Sequence, residues 1–146
     1  MNDTTVIMGY GVKVNDLLPL LDMRKLVNAA NATMDTQIDV DDFENREDET
    51  VLSELDYELI SETGTYGLCC LFQELGALRD LNLWENARNE FYLLYARHFP
   101  WEESDNPPKS IEDVKKRIAG VLLPFARDGV EAEDIASEAY DIEDID

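Results

Sequence analysis

Between Asp35 and Glu62 the chain carries twelve carboxylates and a single base, Arg46. Ionised side chains leave water only at high cost unless they are paired, and one arginine cannot pair with twelve acids. Any fold of this chain must hold the stretch at its surface, with only its apolar residues turned inward. A second block imposes the same demand: Glu131 to Asp146 holds eight acids and no base. These 44 residues account for −19 of the formal net charge of −21, and the other 102 hold 13 acids against 11 bases. Charge gathered into two blocks on an electrostatically ordinary body points to surfaces, not to general solubility.

The body itself can fold. A chain of 146 residues with 45% apolar composition is long enough to bury one core and too hydrophobic to remain a disordered acidic coil. The expected organisation is a single α+β domain over residues 1–129, with an acidic insert at 35–62, followed by an acidic C-terminal segment at 130–146. A charge of −21 repels phosphates and anionic headgroups and attracts cationic partners, so direct binding to nucleic acid or membrane is disfavoured. The opening MNDTTVIMGYGV lacks a basic region followed by a long apolar run. Cys69 and Cys70 are adjacent, a poor arrangement for a structural disulfide. Both features favour a reduced, cytoplasmic setting.

Local patterns suggest the elements. TVIMGYGVKV alternates, with Val6, Met8, Tyr10, Val12 and Val14 on one face; its glycines mark a close backbone approach or a bulge. Asn15 or Asp16 is placed to cap a helix from Leu17, with Pro19 in its first turn and Leu17, Leu20, Leu21, Val27 and Ala30 buried. The stretch LDYELISETGTYGLCCLF reads two ways. We favour a helix over 49–56, a hairpin turning at Thr63-Gly64 between strands at 57–61 and 66–71, and a helix from about Leu71. The alternative is helical throughout, since Val51, Leu55 and Leu59 are spaced by four. Asp80 would cap a helix carrying Trp84, Ala87, Phe91, Leu94, Tyr95 and His98 on one stripe, ended by Pro100. Ser110 with Asp113 forms a capping box for a helix burying Ile111, Val114, Ile118, Val121 and Leu122. The final segment places Ile135, Ala139 and Ile142 together, as a short amphipathic helix or a flexible tail. The fold class expected is a small antiparallel sheet packed against several α-helices, with a mainly α fold as the alternative.

None of the familiar chemical motifs fits. A calcium loop needs Gly at its sixth position and an acid at its twelfth. Counting from Asp35 these positions are Val40 and Arg46, and counting from Asp39 the fifth is Phe43. His98 is the single histidine, and a Cys-His pair with Cys69 or Cys70 is outweighed by the commoner role of cysteine as a small core residue. There is no phosphate-binding GxxxxGK[ST] loop. The reading is a chain with no catalytic residue, metal or cofactor.

What stands out instead is carboxylate spacing. On a helix, twelve acids over 28 residues give one charge per ~3.5 Å, close to the ~3.4 Å per phosphate along one DNA strand. The correspondence requires a helix, or acids gathered on one surface. A small body with GYGVKV near its start and the blocks DVDDFENREDE and EAEDIASEAYDIEDID resembles the acidic inhibitors of phages and mobile elements, among them DNA-mimic and anti-CRISPR proteins. The resemblance implies an inhibitor that occupies the nucleic-acid groove of a host-defence enzyme, in the host cytoplasm. Asp39, Asp41, Asp42, Glu44, Glu47, Asp48 and Glu49 would make the primary contact with that basic partner. Glu131, Glu133, Asp134, Glu138, Asp141, Glu143 and Asp144 would make the second. An antitoxin or immunity protein directed at a cationic toxin, or an acidic scaffold, would use the same charge.

Overall fold

The computed structural model of the chain describes residues 9–75, 81–96 and 110–142. Its architecture is α+β: a four-stranded antiparallel sheet packed against helices. Strand β1 (Gly9–Lys13) lies inside the sheet, with a partner on each side. A Cβ at Gly11 would come within 2.6 Å of the Leu94 Cα, and one at Gly9 would meet the Tyr95 carbonyl. The glycines are thus required by close approach, as their alternation with Tyr10 and Val12 suggests. β1 pairs with β3 (Phe91–Ala96) on one side and β4 (Tyr140–Ile142) on the other, and β2 (Asn82–Glu85) pairs with β3, giving the order β2-β3-β1-β4. Tyr10 opposes Tyr95 and Val12 opposes Leu93. Val12, Leu83, Phe91 and Leu93 face the helices in the main core, and Tyr92, Leu94 and Ile142 form a smaller cluster with Trp84.

The β2–β3 hairpin corrects the long helix expected after residue 80. The apolar stripe fits a helical period, but the residues joining the strands are turn formers. Asn86 is buried, and its side-chain oxygen accepts from the Arg88 and Glu90 backbone N–H groups at 2.9 and 3.0 Å. Asn89 then takes a left-handed conformation, φ 62°. Aromatic and β-prone residues on either side complete the hairpin. The proposed cap Asp80, together with His98 and Pro100, lies outside the described residues.

The helix expected from Leu17 is two. A 3-10 helix runs Val14–Leu20, and α1 (Met23–Met34) begins afterwards with Asp22 as its cap, accepting from the Arg24 N–H at 3.0 Å. The break arises where the chain pairs with a distant segment: Asp22 N–H donates to the Phe125 carbonyl at 2.7 Å and Arg127 N–H to that of Leu20 at 2.9 Å. Asn15 caps nothing; its side-chain oxygen accepts from the Phe91 N–H at 2.8 Å. Leu17, Leu21, Val27 and Ala30 are buried as expected.

The hairpin at 57–71 is also corrected. Helix α2 (Val51–Thr63) runs through it, burying Val51, Leu52, Leu55 and Leu59. Gly64 at φ 93° closes α2, its N–H donating to the Ile60 carbonyl at 2.8 Å. Helix α3 (Leu68–Glu74) follows. Its first N–H, at Leu68, is capped by Asp56 of α2 at 2.8 Å, and a Cβ at Gly67 would collide with that carboxylate.

Helix α4 (Ile111–Leu122) has the expected Ser110 cap, which accepts from the Asp113 N–H at 3.1 Å. Val114, Ile118, Val121 and Leu122 are buried, whereas Ile111 is exposed. Residues 130–142, the acidic C-terminal segment of the sequence reading, pack against the rest of the fold. Ile135 of α5 (Ala132–Ala136) and Ile142 of β4 are buried, and β4 extends the sheet. No helix among the described residues is long and apolar enough to cross a membrane.

Candidate acidic interface

The acidic stretch is held down by a few uncharged and basic residues. Asp35 ends α1 in a left-handed conformation, φ 56°. Asn31 then gathers the returning chain: its side-chain oxygen accepts from Thr36 Oγ1 at 2.8 Å and Ile38 N–H at 2.9 Å, and its Nδ2 donates to the Ile38 carbonyl at 2.9 Å. Ile38 and Phe43 are buried. Between them a short 3-10 turn, Val40–Phe43, starts at Asp39, whose carboxylate accepts from the Asp41 N–H at 3.0 Å. Apolar anchors two or more residues apart leave the intervening acids no direction but outward. Asp39, Asp41, Asp42, Glu44, Glu47, Asp48 and Glu49 are all exposed.

These seven carboxylates do not form one set. Besides Asp39, which caps the turn, three are paired with arginines. Arg46 makes a fork with Asp48, Nε to Oδ1 at 2.9 Å and Nη2 to Oδ2 at 2.7 Å, and also pairs with Glu54. Its guanidinium lies 5.8 Å over the Phe43 ring. The bonds to Asp48 and then Glu54 hold Arg46 firmly protonated, and the same fork keeps Asp48 well below the usual carboxylate range. Glu47 meets Arg127 at 2.9 Å, and Glu44 meets Arg24 at 3.3 Å. Among the described residues the side chains of Asp41, Asp42 and Glu49 make no ion pair. Those three point their charge to solvent.

The stretch does not run as one charged helix. Its first part is a turn and its second part is α2, so the linear match to a phosphate strand does not apply. The two parts instead face each other across an open groove of about 580 Å³, lined by Asp39, Asp42 and Arg46 on one side and Glu54, Tyr57 and Glu58 on the other. Sequence reasoning missed the α2 contribution. The available signal was that Tyr57 falls off the Val51-Leu55-Leu59 stripe and must therefore face away from the core. A second open groove of about 580 Å³ lies at the end of α2, where Asp35, Glu62, Tyr66 and Glu74 are among its lining residues. There Glu62 also accepts from the Gln37 N–H at 2.8 Å.

The C-terminal acids form a separate patch. Glu131, Glu133, Asp134, Glu138 and Asp141 are exposed on α5 and β4. The Asp134 carboxylate accepts from the Glu131 N–H at 3.0 Å, closing the start of α5. None of these five lines either groove. Glu143 and Asp144 lie outside the described residues. Among the described residues no group of three His, Cys, Asp or Glu side chains could hold a metal ion. Burial pushes the Cys69 thiol up to about 11, and its Sγ donates to the Leu83 carbonyl at 3.2 Å, an unreactive arrangement. No family model matches this chain, and neither does any curated protein or solved structure.

Proposed function

We propose that this chain is a non-enzymatic acidic inhibitor that binds a basic, nucleic-acid-handling protein of host defence, a nuclease or CRISPR effector, and competes with its DNA or RNA. The observation that carries the reading is the groove between the Val40–Phe43 turn and α2. Four carboxylates line it, and its one lining cation, Arg46, is already bonded to Asp48 and Glu54. A surplus of fixed negative charge on a folded surface suits a cleft built for phosphates, whose own Lys and Arg side chains supply the missing cations. The Arg46, Arg127 and Arg24 pairs keep the surface folded, while Asp41, Asp42 and Glu49 remain available. The C-terminal patch would be a second area of contact.

The test is capture from a host lysate on the immobilised chain at low salt, followed by elution with duplex DNA or with RNA. Release of the captured protein by nucleic acid supports competition. A captured protein that stays bound in excess nucleic acid overturns it.

A further inference from the structure

The exposed side of α2 has a composition that plain electrostatics does not require. Leu52, Leu55 and Leu59 are buried on one side, while Tyr57 on the other is 70% exposed, the most exposed large apolar side chain among the described residues. It lines the groove on the same wall as Glu58, across from Asp42. We propose that this face of α2 is the centre of the partner contact and that it seats an arginine of the partner against Tyr57, in preference to a lysine. The inference rests on the basic-partner reading given above and adds a specific chemistry to it.

Two observations support that occupant. First, the groove already holds one guanidinium in the same kind of setting: Arg46 forks onto Asp48 and sits 5.8 Å over the Phe43 ring. Second, once Arg46 is committed, Asp42 and Glu58 have no cation among the described residues, and Tyr57 offers an uncovered ring in the same groove. A guanidinium is planar, weakly hydrated and able to stack on a ring while bonding a carboxylate edgewise. A lysine ammonium is compact and strongly hydrated, so it satisfies the charge and leaves the ring unused. Tyrosine is also a residue type enriched at the energetic centres of interfaces, and its two side-chain torsions lose little entropy on contact.

The test compares nona-arginine and nona-lysine peptides, equal in length and charge, binding at low salt to the wild-type chain, Tyr57→Phe and Tyr57→Ala. The expected result is that nona-arginine binds the wild type about five- to tenfold more tightly than nona-lysine. Tyr57→Phe should keep that preference, and Tyr57→Ala should reduce it to about twofold or less while the melting temperature holds, because an exposed ring contributes little to folding. Equal binding of both peptides to the wild type, or an undiminished preference in Tyr57→Ala, overturns the arginine seat and leaves the basic-partner reading standing. Failure of both peptides to bind overturns both.

Discussion

Two triple variants remove the same charge from the same eleven-residue stretch (39–49) and should behave oppositely. Asp41→Asn/Asp42→Asn/Glu49→Gln takes away carboxylates that make no ion pair among the described residues. Glu44→Gln/Glu47→Gln/Asp48→Asn breaks the pairs to Arg24, Arg127 and Arg46. Exposed ion pairs contribute about 0.2–1 kcal/mol each, with forked and less exposed ones at the upper end. Arg46, 28% exposed and forked onto Asp48, belongs at that upper end; Arg24, 53% exposed, belongs at the lower. The paired triple should therefore lose about 1–2 kcal/mol, partly offset by relief of repulsion. For a chain of this size that lowers the melting temperature by about 3–6 °C. The unpaired triple loses only repulsion and should melt at or slightly above the wild type. Thermal melts at low salt measure the difference, and 1 M salt should narrow it, since screening there falls to ~3 Å. If the two triples melt within about 1 °C of each other at low salt, the division of the acids into structural and free sets is wrong.

Three further outcomes follow from particular residues. Glu90 is held down to about 2, from an ordinary 4.5, by its bonds from Asn86, then Lys13, with Arg88 adding to them. A depressed carboxylate stabilises in full above its unfolded value, and the stabilisation disappears as pH falls from 4.5 toward 2; Glu90→Gln should cost about 1–2 kcal/mol at pH 7 and converge with the wild type in acid, read from urea midpoints. Ile135 is fully buried, so Ile135→Ala should lose about 2–4 kcal/mol, and truncation before Glu131 should lower stability as well as remove charge; an unchanged melting temperature in either would contradict the packing of α5 and β4 onto the body. A gel-shift titration at low salt should show no complex with DNA or RNA, because the basic run Lys115-Lys116-Arg117 is partly neutralised by Glu112 and Asp113.

Features written in local chemistry were legible in the sequence, and those decided by distant segments were not. Ser110 before an apolar stripe states the start of α4 within four residues. The β1 glycines announce a close approach without saying which strand approaches. At Thr63-Gly64 the same left-handed glycine can turn a hairpin or end a helix, and the core packing of Leu55 and Leu59 chose the helix. In LNLWENARNEF a helical period coincides with two β-prone runs, and the central position of β1, ready to pair with β3, favoured strands. The acidity of 39–49 was plain, but its division was not: Glu47 finds Arg127 80 residues further on, a pairing no local pattern reveals.

The most direct measurement is the association rate of the captured partner against ionic strength, for the wild type and for Asp41→Asn/Asp42→Asn/Glu49→Gln/Glu58→Gln. These substitutions keep side-chain size and touch no ion pair among the described residues. The wild-type rate should fall steeply as salt rises, and the variant should associate more slowly with a flatter dependence, while dissociation changes less. Equal rates and equal slopes for two folded proteins would mean that the acidic face is solvated surface and recognition lies elsewhere.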